Sequence, residues 1–461
     1  MLQSAGGRLI SFAVNILLAR YLGAAGYGEL AFAIAFAGFF TILGDFGLSV
    51  YAIKEVSARK EAAPEVLSGG LVLSVSLSGL VILLIAAAGL LLKVDGRMLL
   101  VIFLIGLSYI LRNIGGFFGS FLRAYEKMSR LAFIELSYKV LLLAFCAACV
   151  FLKFGLVAIA AGYLAAEGAY LALMSATVLG FVSPGPLPGA AEFKPLLRKI
   201  LPYGLSALTV TVYFNADIVM LSFFKDKQAV GLYSVAYTLF LAAGVFSSVY
   251  FGAVFPVLSR LFKSSDEGLR KAHEKTFKFL LIAGLPISFG GPILAGKIIG
   301  LFYGPAFSPS AAPYAILSSM TVFMFFNAFM GHFLAATDRV GDSFRMLGYS
   351  CLLNVALNFL FIPGYGYIGA AVATVISELA FFALTMNALR RTAYHTAPWG
   401  LAVKLLAFCG LMSAVLLSLP GLNLFLSVLL GMLVYFICVL AGGVLTAEDK
   451  ALLREAVGRR A

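Results

Sequence analysis

Apolar residues in this chain neither alternate with polar ones nor form the narrow stripe of a soluble amphipathic helix. They run on for roughly 20 residues at a time, long enough to carry a helix through about 30 Å of hydrocarbon at about 1.5 Å per residue. Short segments rich in Gly, Pro, Lys and Arg separate the runs. The pattern predicts fourteen membrane-spanning helices, at 2–22, 29–53, 66–92, 98–121, 131–152, 155–180, 200–224, 229–257, 275–292, 309–334, 344–362, 367–389, 400–419 and 423–445. The piece "PILAGKIIGLFYG" between the ninth and tenth is too short to span and is expected to lie at the interface. Strand-like alternation is missing, which argues against a membrane barrel. The first run continues into "LLARYLG" without the small-residue cleavage pattern of a secretory signal. The expected fold is an all-α polytopic membrane protein.

Composition agrees with the pattern. The chain is 62% hydrophobic and 12% charged, with mean hydropathy +1.01, whereas a soluble domain carries about 25% charged residues. The placement of those charges is more informative than their number. With the N-terminus inside, one set of connections and the C-terminal tail hold 24 Lys and Arg, and the opposite set holds 7. Cytoplasmic loops collect Lys and Arg, so both termini are expected in the cytoplasm of a cell-membrane protein. The formal net charge of +13 is then a topology signal, and no nucleic-acid partner is implied. The basic loops are placed to touch anionic lipid head groups. Cys146 and Cys149 have redox or metal spacing, but they sit in "LLLAFCAACVFL" with no His or acid beside them, and read as small core residues. No metal centre, cofactor or catalytic constellation is expected, and no phosphate-binding "GxxxxGK[ST]" loop is present.

The longest Pro- and Gly-rich connection, "VSPGPLPGAAEFKP", follows the sixth span. It divides the chain into an N-terminal six-helix bundle (1–181), a cytoplasmic linker (182–199), a second six-helix bundle (200–391), and two further helices with a cytoplasmic tail (392–461). The halves echo each other. "FGLVAIAAGYLAAEGAYLAL" (154–173) matches "YGYIGAAVATVISELAFFAL" (365–384), which sets Glu167 on Glu378, and "GYGELAFAIA" (26–35) answers "GLYSVAYTLF" (231–240). Equivalent segments start on the same side, so the repeats are parallel, an arrangement typical of transporters with a path between two bundles.

Few charges lie inside the spans, and each costs roughly 2.5–3.5 kcal/mol at mid-bilayer on insertion scales, so each needs a partner or a cavity. Arg112 is too deep to snorkel easily and is expected to face a cavity, with Asn113 beside it. Arg8 and Arg20 sit near opposite ends of the first span and either snorkel or face the same cavity. Glu135 and Lys139 have the i, i+4 spacing of an ion pair along one helix face. Glu167 and Glu378, being repeat mates, are expected to serve the fold by capping backbone at bends, with proton relay as the other reading. Asp217 with Asn215 could bind a cation or hydrogen-bond a sugar. Asp45, in "FFTILGDFGLSV", lies between two glycines, where a carboxylate can bond backbone groups freed by a helix bend. Pairing with a nearby base and a direct transport role are its other readings.

Three segments carry a family resemblance: "LLARYLGAAGYGELAFAIAFAGFFTILGDFGLSVYAIKEVSAR" (17–59), "LPYGLSALTVTVYFNADIVMLSFFKDKQAVGLYSVAYTL" (201–239) and "LNVALNFLFIPGYGYIGAAVATVISELAFF" (353–382). In this order they resemble the polysaccharide biosynthesis, or O-antigen flippase, family. That family belongs to the superfamily of multidrug, oligosaccharidyl-lipid and polysaccharide exporters. The resemblance implies two pseudo-symmetric six-helix bundles with two C-terminal helices appended. It implies a monomeric transporter that moves a polyprenyl-pyrophosphate-linked oligosaccharide from the inner to the outer leaflet by alternating access, with coupling to H+ or Na+ as an option. Arg forks match pyrophosphate, which makes Arg112, Arg20 and Arg8 the expected anion contacts and Asn113, Asn215 and Asp217 further substrate contacts. A cation-coupled multidrug antiporter of the same superfamily is the alternative; it would be expected to have twelve spans and acid-dominated sites. A non-transporting membrane scaffold is a third reading, against which the repeats and buried charges argue.

Overall fold

The computed structural model describes residues 2–187, 189–389, 399–446 and Asp449. The expected tail beyond 449 and the basic residues Arg390 and Arg391 lie outside the described residues. The elements in chain order are α1 (Leu2–Asp45), α2 (Leu48–Ala58), α3 (Ala63–Leu91), α4 (Gly96–Ala124), α5 (Met128–Phe151), α6 (Leu156–Leu179), α7 (Ala190–Phe224), α8 (Lys227–Ser264), α9 (Asp266–Tyr303), α10 (Ala311–Ser318), α11 (Thr321–Ala336), α12 (Val340–Leu389), α13 (Trp399–Ser418) and α14 (Leu424–Ala441). No strand occurs among the described residues. Ten helical segments are long and apolar enough to cross a membrane, or eleven if the bent pair at 305–318 and 321–336 is one span. Two of these segments, Gly6–Ala58 with 53 residues and Val340–Leu389 with 50, are each long enough for two crossings. Counting both halves of each, the bent pair and α8 gives the fourteen that the hydrophobic pattern predicts.

The long segments break where the backbone requires glycine. α1 passes through Gly23 at φ 67° and ψ 179°, and α12 through Gly366 at φ 56° and ψ −134°. Both values are favourable only without a Cβ. Each falls in the gap between two predicted spans. A second interruption, at Phe46 (φ 38°) and Gly47 (φ 84°), separates α1 from α2, immediately after Asp45. One expectation is revised. "PILAGKIIGLFYG" is not a separate interfacial piece: α9 runs unbroken through Pro286 and Pro292 to Tyr303. Within the linker region 182–199, α7 begins at Ala190 and contains Pro195 and Pro202.

Close contacts divide the chain into two compact units, Met1–Val235 with Cys351–Ala370, and Ala236–Ser350 with Ala371–Ala461. In the first, α4 packs along α6 and α1, and α5 packs on both α1 and α6. Small residues set these distances. A Cβ at Gly70 would lie 2.2 Å from the Phe117 ring, and one at Gly115 would lie 2.5 Å from the Tyr170 ring. The N-terminal ends of α8 and of the second half of α1 meet backbone to backbone. A Cβ on Gly28 would fall 1.8 Å from the Lys227 carbonyl oxygen, and one on Gly231 would fall 1.9 Å from that of Ala24. The reciprocity of 28 with 231 and of 24 with 227 identifies the repeat mates. The offset is 203 positions, two fewer than the similarity of "GYGELAFAIA" to "GLYSVAYTLF" suggests.

In the second unit, α9 packs against α10, α11, α13 and α14 around an aromatic core. Phe277 and Phe326 stack at 4.0 Å between ring centroids, and Phe325, Phe329 and Phe333 are fully buried. Tyr435 of α14 donates its hydroxyl to the Ile282 carbonyl at 3.0 Å. This satisfies a polar tip that burial would otherwise penalise.

Candidate functional site

A cavity of about 230 Å³ in the first unit is lined by Arg8 and Ser11 of α1, Arg112 of α4, and Glu135 and Lys139 of α5. Three cations and one carboxylate therefore face one small space. Arg112 lies on the face of α4 opposite to the buried Ile110, Phe117 and Phe121. The guanidinium carbon lies 4.4 Å from the Tyr138 ring centroid and 4.8 Å from that of Tyr170. These cation–π contacts hold the planar group in one orientation. Gly115, one turn further along α4, leaves the room that Tyr170 occupies. Behind Arg112, Glu167 of α6 places Oε1 3.6 Å from Nη1.

The remaining expected site residues take distinct places. Glu135 lies 3.5 Å from Arg123, twelve residues back, and forms its ion pair there rather than with Lys139. Asn113 donates its amide to the Thr41 carbonyl at 2.6 Å and ties α4 to α1. Arg20 is exposed on α1, three residues before the break at Gly23. Asp45 accepts from the Ser49 amide at 3.2 Å and the Ser49 hydroxyl at 2.5 Å. It thereby bonds a free N–H of the first turn of α2 across the Phe46–Gly47 interruption. The Gly47 turn sits on α7, where a Cβ would meet Tyr203 at 2.4 Å.

A second polar cluster in the same unit surrounds Asp217, which is 2% exposed. Tyr233 donates to its Oδ2 at 2.5 Å, and Asn358 donates to its Oδ1 at 2.6 Å. Asn358 also donates to the side-chain amide oxygen Oδ1 of Asn354 at 3.0 Å. Its own Oδ1 is buried without a hydrogen-bond partner. Asn215 is turned to its own helix, donating to the Thr211 carbonyl at 3.0 Å. The cluster thus joins a carboxylate to a hydroxyl and two side-chain amides through hydrogen bonds inside the first unit. Asn354 and Asn358 are not evident from residue type alone; their i, i+4 spacing in "LNVALNFL" is the signal that they share one helix face.

In the second unit, Glu378 of α12 is buried, and Asn327 of α11 donates to its Oε2 at 2.6 Å and to its backbone carbonyl at 2.9 Å. A larger cavity of about 630 Å³ there is lined by apolar groups, including Phe277, Leu285, Phe323, Phe326, Phe382 and Leu406. It offers a phosphate no counter-charge.

The family model described as "Polysaccharide biosynthesis protein" matches residues 1–262, and the model described as "MatE" matches residues 202–360. The chain is 24% identical over 252 residues to a protein from Haloferax volcanii named a probable low-salt glycan biosynthesis flippase. That match covers 52% of this chain and 53% of the relative, so the chain spans about half the length of this curated relative. Among solved structures it is similar to a lipid II flippase in an inward closed conformation. The TM-score is 0.80 at 17% identity, over 96% of this chain and 98% of the other. It is also similar to an inward-facing multidrug resistance transporter, with TM-score 0.68 at 16% identity, over 84% and 96% of the two chains. At these identities the structural likeness establishes the shared fold.

Proposed function

We propose, from the premise that this chain belongs to the polysaccharide biosynthesis protein family, that it is a flippase for a polyprenyl-diphosphate-linked oligosaccharide. It would carry this lipid from the inner to the outer leaflet of the cell membrane by alternating access. The observation that supports the reading is the charge of the small cavity: three cations, Arg8, Arg112 and Lys139, line it with one carboxylate, Glu135, and Glu167 stands behind Arg112, an excess of positive charge that fits a diphosphate and opposes a cationic drug. Arg112 presents a planar fork for two phosphate oxygens, and Lys139 and Arg8 supply charge without fixed geometry. The Asp217 cluster supports coupling to a small cation, because its carboxylate and amide oxygens can replace a hydration shell. The named roles of the relatives, a glycan biosynthesis flippase and a lipid II flippase, favour a lipid-linked sugar as cargo.

The alternative, a cation-coupled multidrug antiporter, draws on the MatE match over 202–360 and on Asp217. Expression in a strain lacking its own flippase separates the two. Restored surface glycan supports the flippase reading. Unrestored glycan with increased efflux of cationic dyes would favour the antiporter.

A further inference from the structure

The contact between Arg112 and Glu167 is unlike a structural ion pair. Charge-assisted N–H···O bonds close to about 2.7–2.9 Å, whereas Arg112 Nη1 stands 3.6 Å from Glu167 Oε1. Among the described residues, Arg112 Nη1 and Glu167 Oε2 are both buried without a hydrogen-bond partner, although the Glu167 carboxylate also bonds Tyr138. An unsatisfied buried donor beside an unsatisfied buried acceptor is costly, and the helices could relieve it by closing the pair. They do not, because the guanidinium is already seated against Tyr138 and Tyr170 at 4.4 and 4.8 Å. The rings seat the guanidinium, and the carboxylate, which hydrogen-bonds Tyr138, stands off from it at 3.6 Å.

The corresponding contact in the second unit behaves differently. There Glu378, the repeat mate of Glu167, receives two hydrogen bonds from Asn327 at 2.6 and 2.9 Å. A tight, neutral-donor bond joins the helices in that repeat. In the first repeat Glu167 instead faces a cation, Arg112, which stands 3.6 Å away and lines a cavity.

We propose that Glu167 is a positioning residue acting as a displaceable counter-ion for Arg112. It neutralises the guanidinium while the cavity is empty and yields it to the diphosphate when the lipid arrives. This inference rests on the flippase reading. Its consequence is a compromise between capture and release. A carboxylate that competes with phosphate for Arg112 weakens binding, and the same competition speeds departure of the cargo.

The test is diphosphate binding and transport by the full-length protein in lipid nanodiscs and proteoliposomes. The binding probe is a soluble short-chain prenyl diphosphate, with the matching monophosphate as comparison. Glu167→Gln is expected to bind the diphosphate roughly ten-fold more tightly, a difference of about 1.4 kcal/mol, while turnover falls. Glu167→Asp, with its carboxylate drawn back by one methylene, should shift both quantities in the same direction by less. It also carries the test if the Gln variant does not fold. A merely structural role would weaken binding in both variants. Unchanged or weaker binding by folded Glu167 variants, with Arg112→Ala abolishing it, overturns the counter-ion proposal and leaves the flippase reading standing. A wild-type protein that binds neither probe overturns both.

Discussion

Gly28→Ala tests the packing of α1 on α8 by the sign of its effect. In an open helical position the change is stabilising by about 1 kcal/mol, because alanine loses less backbone entropy on folding. At position 28 the new methyl would fall 1.8 Å from the Lys227 carbonyl oxygen and 2.8 Å from the Gly231 nitrogen. Both are backbone atoms that cannot rotate aside. An ordinary C···O contact is about 3.3–3.6 Å, so the two helix ends would have to part by about 1.5 Å. Overpacking of this kind costs about 1–3 kcal/mol and reverses the propensity gain. The adjoining ion pair, Lys227 Nζ to Glu29 Oε1 at 2.5 Å, would open with it. The assay is the thermal unfolding midpoint of the purified protein in detergent, at one scan rate for all variants. Gly116→Ala is the control, since nothing lies within 4 Å of its Cβ position. The expected result is a lower midpoint for Gly28→Ala and an equal or higher one for Gly116→Ala. A midpoint raised by Gly28→Ala would refute the backbone contact, and with it the repeat register drawn from Gly28 and Gly231.

Other outcomes follow from single groups. Asp449 is buried, which alone would raise its pKa, but hydrogen bonds from Lys278 and from the Thr446 amide and hydroxyl outweigh burial and hold it at about 2. A depressed carboxylate stabilises the fold above its unfolded pKa of about 3.9, and the contribution is lost as pH falls from there toward about 2. Asp449→Asn should therefore lower stability at pH 7 by about 1–2 kcal/mol and flatten the acid limb of the stability profile; an unchanged limb would contradict the pairing. Asp217→Asn should abolish any rise in melting temperature that sodium produces relative to potassium or choline, and a retained rise would place cation binding elsewhere. Lys139→Ala should weaken diphosphate binding while leaving the melting temperature nearly unchanged. A large loss of stability with normal binding would return Lys139 to a structural role.

The span pattern was legible because hydrocarbon imposes it: each crossing needs about 20 apolar residues, and the breaks at Gly23 and Gly366 fall between runs. The continuity of α9 was not legible, since Pro292 inside the helix looks like a terminator when read without tertiary context. The repeat was visible at Glu167 and Glu378, but its register at the α1–α8 contact was not. Similarity among Ala, Leu and Phe cannot fix a two-residue shift, whereas the space around Gly28 can.

Charge identity alone singled out Arg112, and depth in the span pointed it toward a cavity. The partners of these charges were harder to read. The i, i+4 spacing suggested Glu135 for Lys139, yet α4 brings Arg123 to Glu135. Likewise, nothing in the spacing connects Arg112 with Tyr138, Tyr170 and Glu167, because those contacts depend on how α4, α5 and α6 cross.

The central claim is that the cavity of Arg8, Arg112 and Lys139 carries a lipid-linked diphosphate across the bilayer. Its most direct test is translocation of a fluorescent polyprenyl-diphosphate oligosaccharide in proteoliposomes, read by quenching from outside. Wild-type protein is expected to transport it, with at least about a ten-fold loss in Arg112→Ala, the effect of about 1.4 kcal/mol of lost anion binding. Transport by Arg112→Ala at the wild-type rate, or none by wild type above protein-free vesicles, would contradict it.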